Sequence, residues 1–137
     1  MLRSAIIALF SCALAAPASA QVMDSYHATI TEADRHNSSG ARLSSPGAVL
    51  QQERANFHSF GIRQAGDEGD MFFADRELRA QIPDLYARGQ RDDWTDGVLS
   101  GAFGPGEVYL LVFVCGPGRQ PTHINVEPAD GDFRRGC

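Results

Sequence analysis

The sequence predicts a small α+β domain: an antiparallel sheet of about three strands with two or three helices packed on one face. Three stretches carry that prediction. Val108 to Cys115, VYLLVFVC, is apolar throughout, as a central strand covered on both sides must be. Tyr26 to Thr31 alternates, with Tyr26, Ala28 and Ile30 on one side and His27, Thr29 and Thr31 on the other, the period of a half-buried strand. Ser45 to Gly61 opens on a Ser-Pro helix start and closes on a glycine stop.

Taken in order, the chain begins with Met1-Leu2-Arg3, an apolar stretch from Ala5 to Ala16, and an A-x-A site at Ala18-Ser19-Ala20. Residues 1–20 are therefore expected to be a secretory signal peptide. A membrane anchor is the rival, but the apolar run is shorter than the ~20 residues that span a bilayer. A lipoprotein signal at Cys12 fits poorly, since Phe10 and Ser11 precede it and the apolar run continues past it. Cleavage would leave residues 21–137 as one α+β domain, periplasmic or secreted, without a stable membrane anchor. Cys115 and Cys137 remain, an even count that in an exported chain predicts a disulfide. Closing that loop of 22 residue steps stabilises by about 3 kcal/mol in the chain-entropy model. A metal or redox pair is the alternative, but C-x-x-C spacing is lacking.

After the first strand, Asp34 to Gly40 is a cluster of turn formers. A cation loop on Asp34 and Asn37 would need further carboxylates. The helix from Pro46 should reach about Phe60, with Val49, Leu50, Phe57 and Phe60 in one apolar stripe. Glu53 falls inside that stripe, Arg54 and Asn56 flank it, and His58 points away beyond Arg54. A carboxylate there has to be paired or protonated. Arg54, Arg63, Arg76 and Arg79 are the candidate partners; a general acid with a desolvated, raised pKa is the functional alternative.

Asp67, Glu68 and Asp70 make the next loop acidic. Asp70 suits the N-cap of a helix starting at Met71, along which Met71, Ala74, Leu78, Ile82 and Leu85 recur. Pro83 should kink or restart it after Ile82, and Gly89 should end it. A divalent-cation site from Asp67, Glu68, Asp70 and Asp75 competes with simple dipole-favoured acids at a helix start. The spacing matches no metal loop, and no metal is expected. Asp92-Asp93-Trp94 opens a third helix with Trp94 as a core anchor. A turn at Pro117-Gly118 returns the chain through Thr122 to Val126, beside the central strand. His27 and His123 would share a sheet face if both outer strands flank that one. Arg134 and Arg135 are expected in solvent.

All twelve basic residues are arginine. Past the leader, eleven arginines stand against seventeen acids, a net charge of −6. That balance argues against nucleic-acid binding and favours a basic protein partner in the envelope.

Tyr26, Asn37, Ser38, Gly40, Leu43, Arg54 to Phe57, Gly61 and the Asp67–Phe73 segment resemble those of small exported bacterial proteins of uncharacterised function. The resemblance covers about a third of the chain. It implies export and brings no activity, cofactor or catalytic residue.

No nucleophile elbow, phosphate-binding glycine loop or zinc spacing is present. The expectation is a protein-binding or accessory module of the cell envelope with no cofactor. The candidate binding or polar-core residues are Glu53, Arg54, Asn56, His58, Asp67 and Asp70. The alternative is a small hydrolase or metal-dependent enzyme built on Glu53, His58 and Asp70.

Overall fold

The structure, a computed structural model, describes residues 19–131 and 136–137. Most of the leader, and the expected solvation of Arg134 and Arg135, lie outside the described residues. Strands β1 (Gln21–Ile30), β2 (Val108–Gly116) and β3 (His123–Pro128) form an antiparallel sheet in the order β1-β2-β3. Helix α1 (Pro46–Ala55) runs into a π-helical turn (Asn56–Phe60), and α2 (Arg76–Ala80), α3 (Ile82–Arg88) and α4 (Asp93–Ser100) follow. The predicted α+β architecture, with the apolar strand in the middle, is the one observed.

Register explains the core. Tyr26, Val112 and Val126 stand opposite one another across the three strands. Strand alternation then sets Ala28, Ile30, Leu110, Val114 and Ile124 on the same buried face. Val49 and Leu50 of α1, Ile82, Leu85 and Tyr86 of α3, Leu99 of α4, and Phe73 pack against it. Each such side chain contributes about 1.5–3 kcal/mol of burial. The reverse face of β2 holds Leu111, Phe113 and Cys115, covered by Ala129 and Cys137. Cys115 and Cys137 are joined as a disulfide, Cα–Cα 5.6 Å, which holds the chain end on that face.

Gly89 ends α3 for a reason of space. Its φ is −80°, open to any residue. A Cβ there would lie 1.8 Å from the Ile124 carbonyl oxygen, so only glycine lets the α3–α4 connection run this close to β3.

Three helical expectations change. Gly61 is the left-handed stop (φ 67°), but its N–H donates to Asn56 O, an i→i+5 bond that widens the last turn. Phe57 stays buried while Phe60 swings out to 57 % exposure, so the apolar stripe ends one turn early. The 71–85 pattern is two helices and a turn. Asp75, not Asp70, is the N-cap, accepting from the Glu77 and Leu78 N–H groups. Met71 is exposed and Phe73 takes the core position. The restart comes at Ile82 itself, with Pro83 in the first turn of α3. Trp94 is 44 % exposed and anchors no core, because Thr95, Val98 and Leu99 present the buried side of α4.

Candidate functional site

The acidic residues have a common use along the outer edge of β1. The N–H groups that point away from β2 belong to Ser25, His27, Thr29 and Thr31. Each donates to a carboxylate: Asp24 (2.8 Å), Glu68 (2.9 Å), Asp67 (2.7 Å) and Asp34 (2.8 Å), respectively. The 65–68 loop is also tied to this edge, with Glu68 N–H donating to His27 O and Thr29 Oγ1 to Ala65 O. An edge strand with open N–H groups is a template for unwanted pairing. Four carboxylates close this one. Asp34 is fully buried and also receives Asn56 Nδ2, so Asn56 serves the edge.

Behind that loop lies a buried ion cluster. Arg54, which a uniform helical wheel puts at the flank of the stripe, is fully buried. Its guanidinium takes both oxygens of Glu53, and Nη1 reaches Asp70 Oδ2 at 3.0 Å and the Glu68 carbonyl at 2.9 Å. It lies over the rings of Tyr26 and Phe57, 4.1 and 4.6 Å from their centroids. Asp70 Oδ1 accepts the Phe72 and Phe73 N–H groups, and Oδ2 meets His58 Nε2 at 2.7 Å. The π turn brings His58 to Asp70 instead of leaving it pointed away. Glu53, Arg54, His58 and Asp70 thus converge, whereas Asn56 and Asp67 attach to the β1 edge.

The cluster carries two carboxylates and one guanidinium. Burial drives the Glu53 carboxyl up to about 7; Arg54 opposes this, and Asp34 and Asp67 add to it. Burial acts on Asp70 the same way, but hydrogen bonds from His58, Phe73 N–H and Arg54 outweigh it and hold that carboxyl below its ordinary value. A proton on Glu53 leaves Arg54 and Asp70 as a neutral pair. Burial likewise raises the Tyr26 hydroxyl well above its ordinary value, and this oxygen lacks a partner among the described residues.

A carboxyl raised from 4.5 to about 7 holds its proton more tightly folded than unfolded. Its contribution to stability is full below about 4.5 and is lost as pH climbs through about 7. Asp70 works in the opposite sense, losing its contribution as pH falls through its lowered value. The melting temperature should fall on the order of 10 °C between these two Glu53 values, and Glu53→Gln should flatten that slope. An unchanged slope in the variant would show that Glu53 is not the titrating group.

As chemistry the cluster is closed. The Asp70 carboxylate and Arg54 side chain are wholly shielded, Glu53 is 1 % exposed, and the His58 side chain reaches solvent at 12 %. Ser59, next to His58, receives Arg79 Nη2 at 2.9 Å. Among the described residues no group of three or more His, Cys, Asp or Glu is placed to hold a metal. His27 and His123 share a face of the sheet but stand opposite Leu111 and Cys115. Those positions are four residues apart on β2, roughly 13 Å at the strand rise.

The open concavity is elsewhere. A groove of about 630 Å³ runs between α1, α2 and the 37–38 turn. A second hollow of about 340 Å³ adjoins it, sharing Asn37, Ser38, Gln52 and Phe60. Among the described residues no Asp or Glu lines either; Arg76 and Arg79 supply the fixed charge. Sequence reasoning passed over this place, considering those arginines only as partners for Glu53. Their i,i+3 spacing on α2 is the signal that marks it. No protein-family model, curated protein or solved structure matches the chain. Among the described residues no helix is long and apolar enough to cross a membrane.

Proposed function

We propose that this chain is an exported accessory module of the cell envelope that works by binding rather than by turnover. The export signal and the resemblance to small exported bacterial proteins support the address; the disulfide suits an oxidising compartment. One observation supports binding over catalysis. The candidate acids of the hydrolase reading, Glu53 and Asp70, are shielded and fully engaged, while a groove of ligand-binding size lies open along α1. The net acidity of the chain would draw a basic envelope protein toward it, with the groove as the specific contact.

Affinity capture from envelope extract with the disulfide-bonded protein tests this. One stoichiometric partner should be retained, released by salt, and lost with Ala55→Trp, which fills the groove. A blank, or a partner kept equally by the filled variant, would sink the reading. Turnover abolished by Glu53→Gln in a folded protein would instead establish the hydrolase.

A further inference from the structure

We infer that the groove between α1 and α2 binds a carboxylate carried on an amide- or hydroxyl-bearing ligand, anchored by Arg76 and Arg79. This rests on the binding reading above and specifies what the site takes. Arg79 is only 8 % exposed, yet its acceptors are neutral: the Phe73 and Ala74 carbonyls and Ser59 Oγ. A buried guanidinium ordinarily shares its burial with a carboxylate. Arg35 and Arg54, the other buried arginines among the described residues, each have one. Among the described residues none pairs with Arg79 or Arg76.

Arg76 lies one turn before Arg79 on the same helical face and is exposed. At that spacing the two Cβ atoms are about 5–6 Å apart. Both residues line the groove, where two guanidinium forks suit the two oxygens of a single carboxylate. Ser59 and the carbonyls of residues 73 and 74 hold Arg79 in place before any ligand arrives, which lowers the cost of binding. Across the groove, Gln51, Gln52 and Ser38 offer amide and hydroxyl groups to whatever carries the carboxylate. Among the described residues no acid lines this groove, so its fixed charge is that of the two arginines. The chain end of a peptide and a uronic acid both present that chemistry.

Calorimetric titration of the purified, disulfide-bonded protein decides the matter. The probes are N-acetyl-alanyl-alanine, its C-terminal amide, glucuronate and inorganic phosphate. At least one carboxylate should bind, and Arg76→Gln should weaken it about tenfold with an unchanged circular dichroism spectrum. Arg76 is the decisive position because it is exposed and, unlike Arg79, holds no structural bond among the described residues. Binding by the peptide acid but not its amide assigns a chain end; binding by glucuronate alone assigns a sugar acid; either upholds the carboxylate. Three results overturn it: no binding by either carboxylate, equal binding of acid and amide without glucuronate, or phosphate binding as tightly as the better carboxylate. If the envelope partner is still captured through the groove while neither carboxylate binds, the carboxylate assignment fails and the binding module stands.

Discussion

Replacing Arg54 by Met should cost about 3–5 kcal/mol at pH 8, most of the margin of a domain this size. Met fills the space between the Tyr26 and Phe57 rings, so the loss is electrostatic and not a cavity. What remains is two shielded carboxylates, Glu53 and Asp70, with the one charge that served both removed. The Glu68 carbonyl also loses its donor, which loosens the loop on the β1 edge. The defect should shrink with acidification, because Glu53 already titrates near 7 and takes up its proton first. Urea unfolding midpoints at pH 8 and pH 5.5 read this directly. A loss below about 1 kcal/mol at pH 8 would mean that solvent reaches the cluster and that the ions are not buried as described.

The sheet was legible because it depends on short-range pattern. The apolar run at 108–115 and the alternation at 26–31 each specify a strand and its faces, and the two cysteines beyond residue 20 have only each other to pair with. The helices were legible at their starts and stops, Ser45-Pro46 and Gly61, but not in phase. One i→i+5 bond at Asn56–Gly61 rotates everything beyond Ala55, so Phe60 leaves the core and His58 finds Asp70. Asp70 and Asp75 both look like helix caps in one dimension; Asp70 is claimed instead by Arg54 and His58. The site's members were largely named, yet their grouping was not. Whether Asp67 serves a metal, a helix or a strand depends on which strand lies at the edge, and that is decided by β2 taking the middle. The groove was invisible for a related reason: it exists only where α2 settles against α1.

The second large effect should come from the double replacement Asp67→Ala, Glu68→Ala. Asp67 accepts the N–H groups of Thr29 and Gln64, and Glu68 those of the His27 backbone and ring. The His27 backbone bond, then that from its ring, holds the Glu68 carboxyl below its ordinary value, so it remains an acceptor in mild acid. Hydrogen bonds to charged acceptors contribute about 1.5–3 kcal/mol each when shielded. Glu68 is more than half exposed and counts for less, so the stability loss should be about 2–3 kcal/mol, mostly from Asp67. The larger consequence is architectural. With its cover unfastened, β1 presents a ten-residue edge whose N–H groups at 27 and 29 seek another chain. Sedimentation should show concentration-dependent association of the double variant well beyond that of the parent protein. Asp67→Asn with Glu68→Gln, which keeps an acceptor oxygen at each place, should stay close to the parent. If the alanine variant loses stability but does not associate, the backbone bonds of the 65–68 loop suffice to close the edge, and the carboxylates act only on stability.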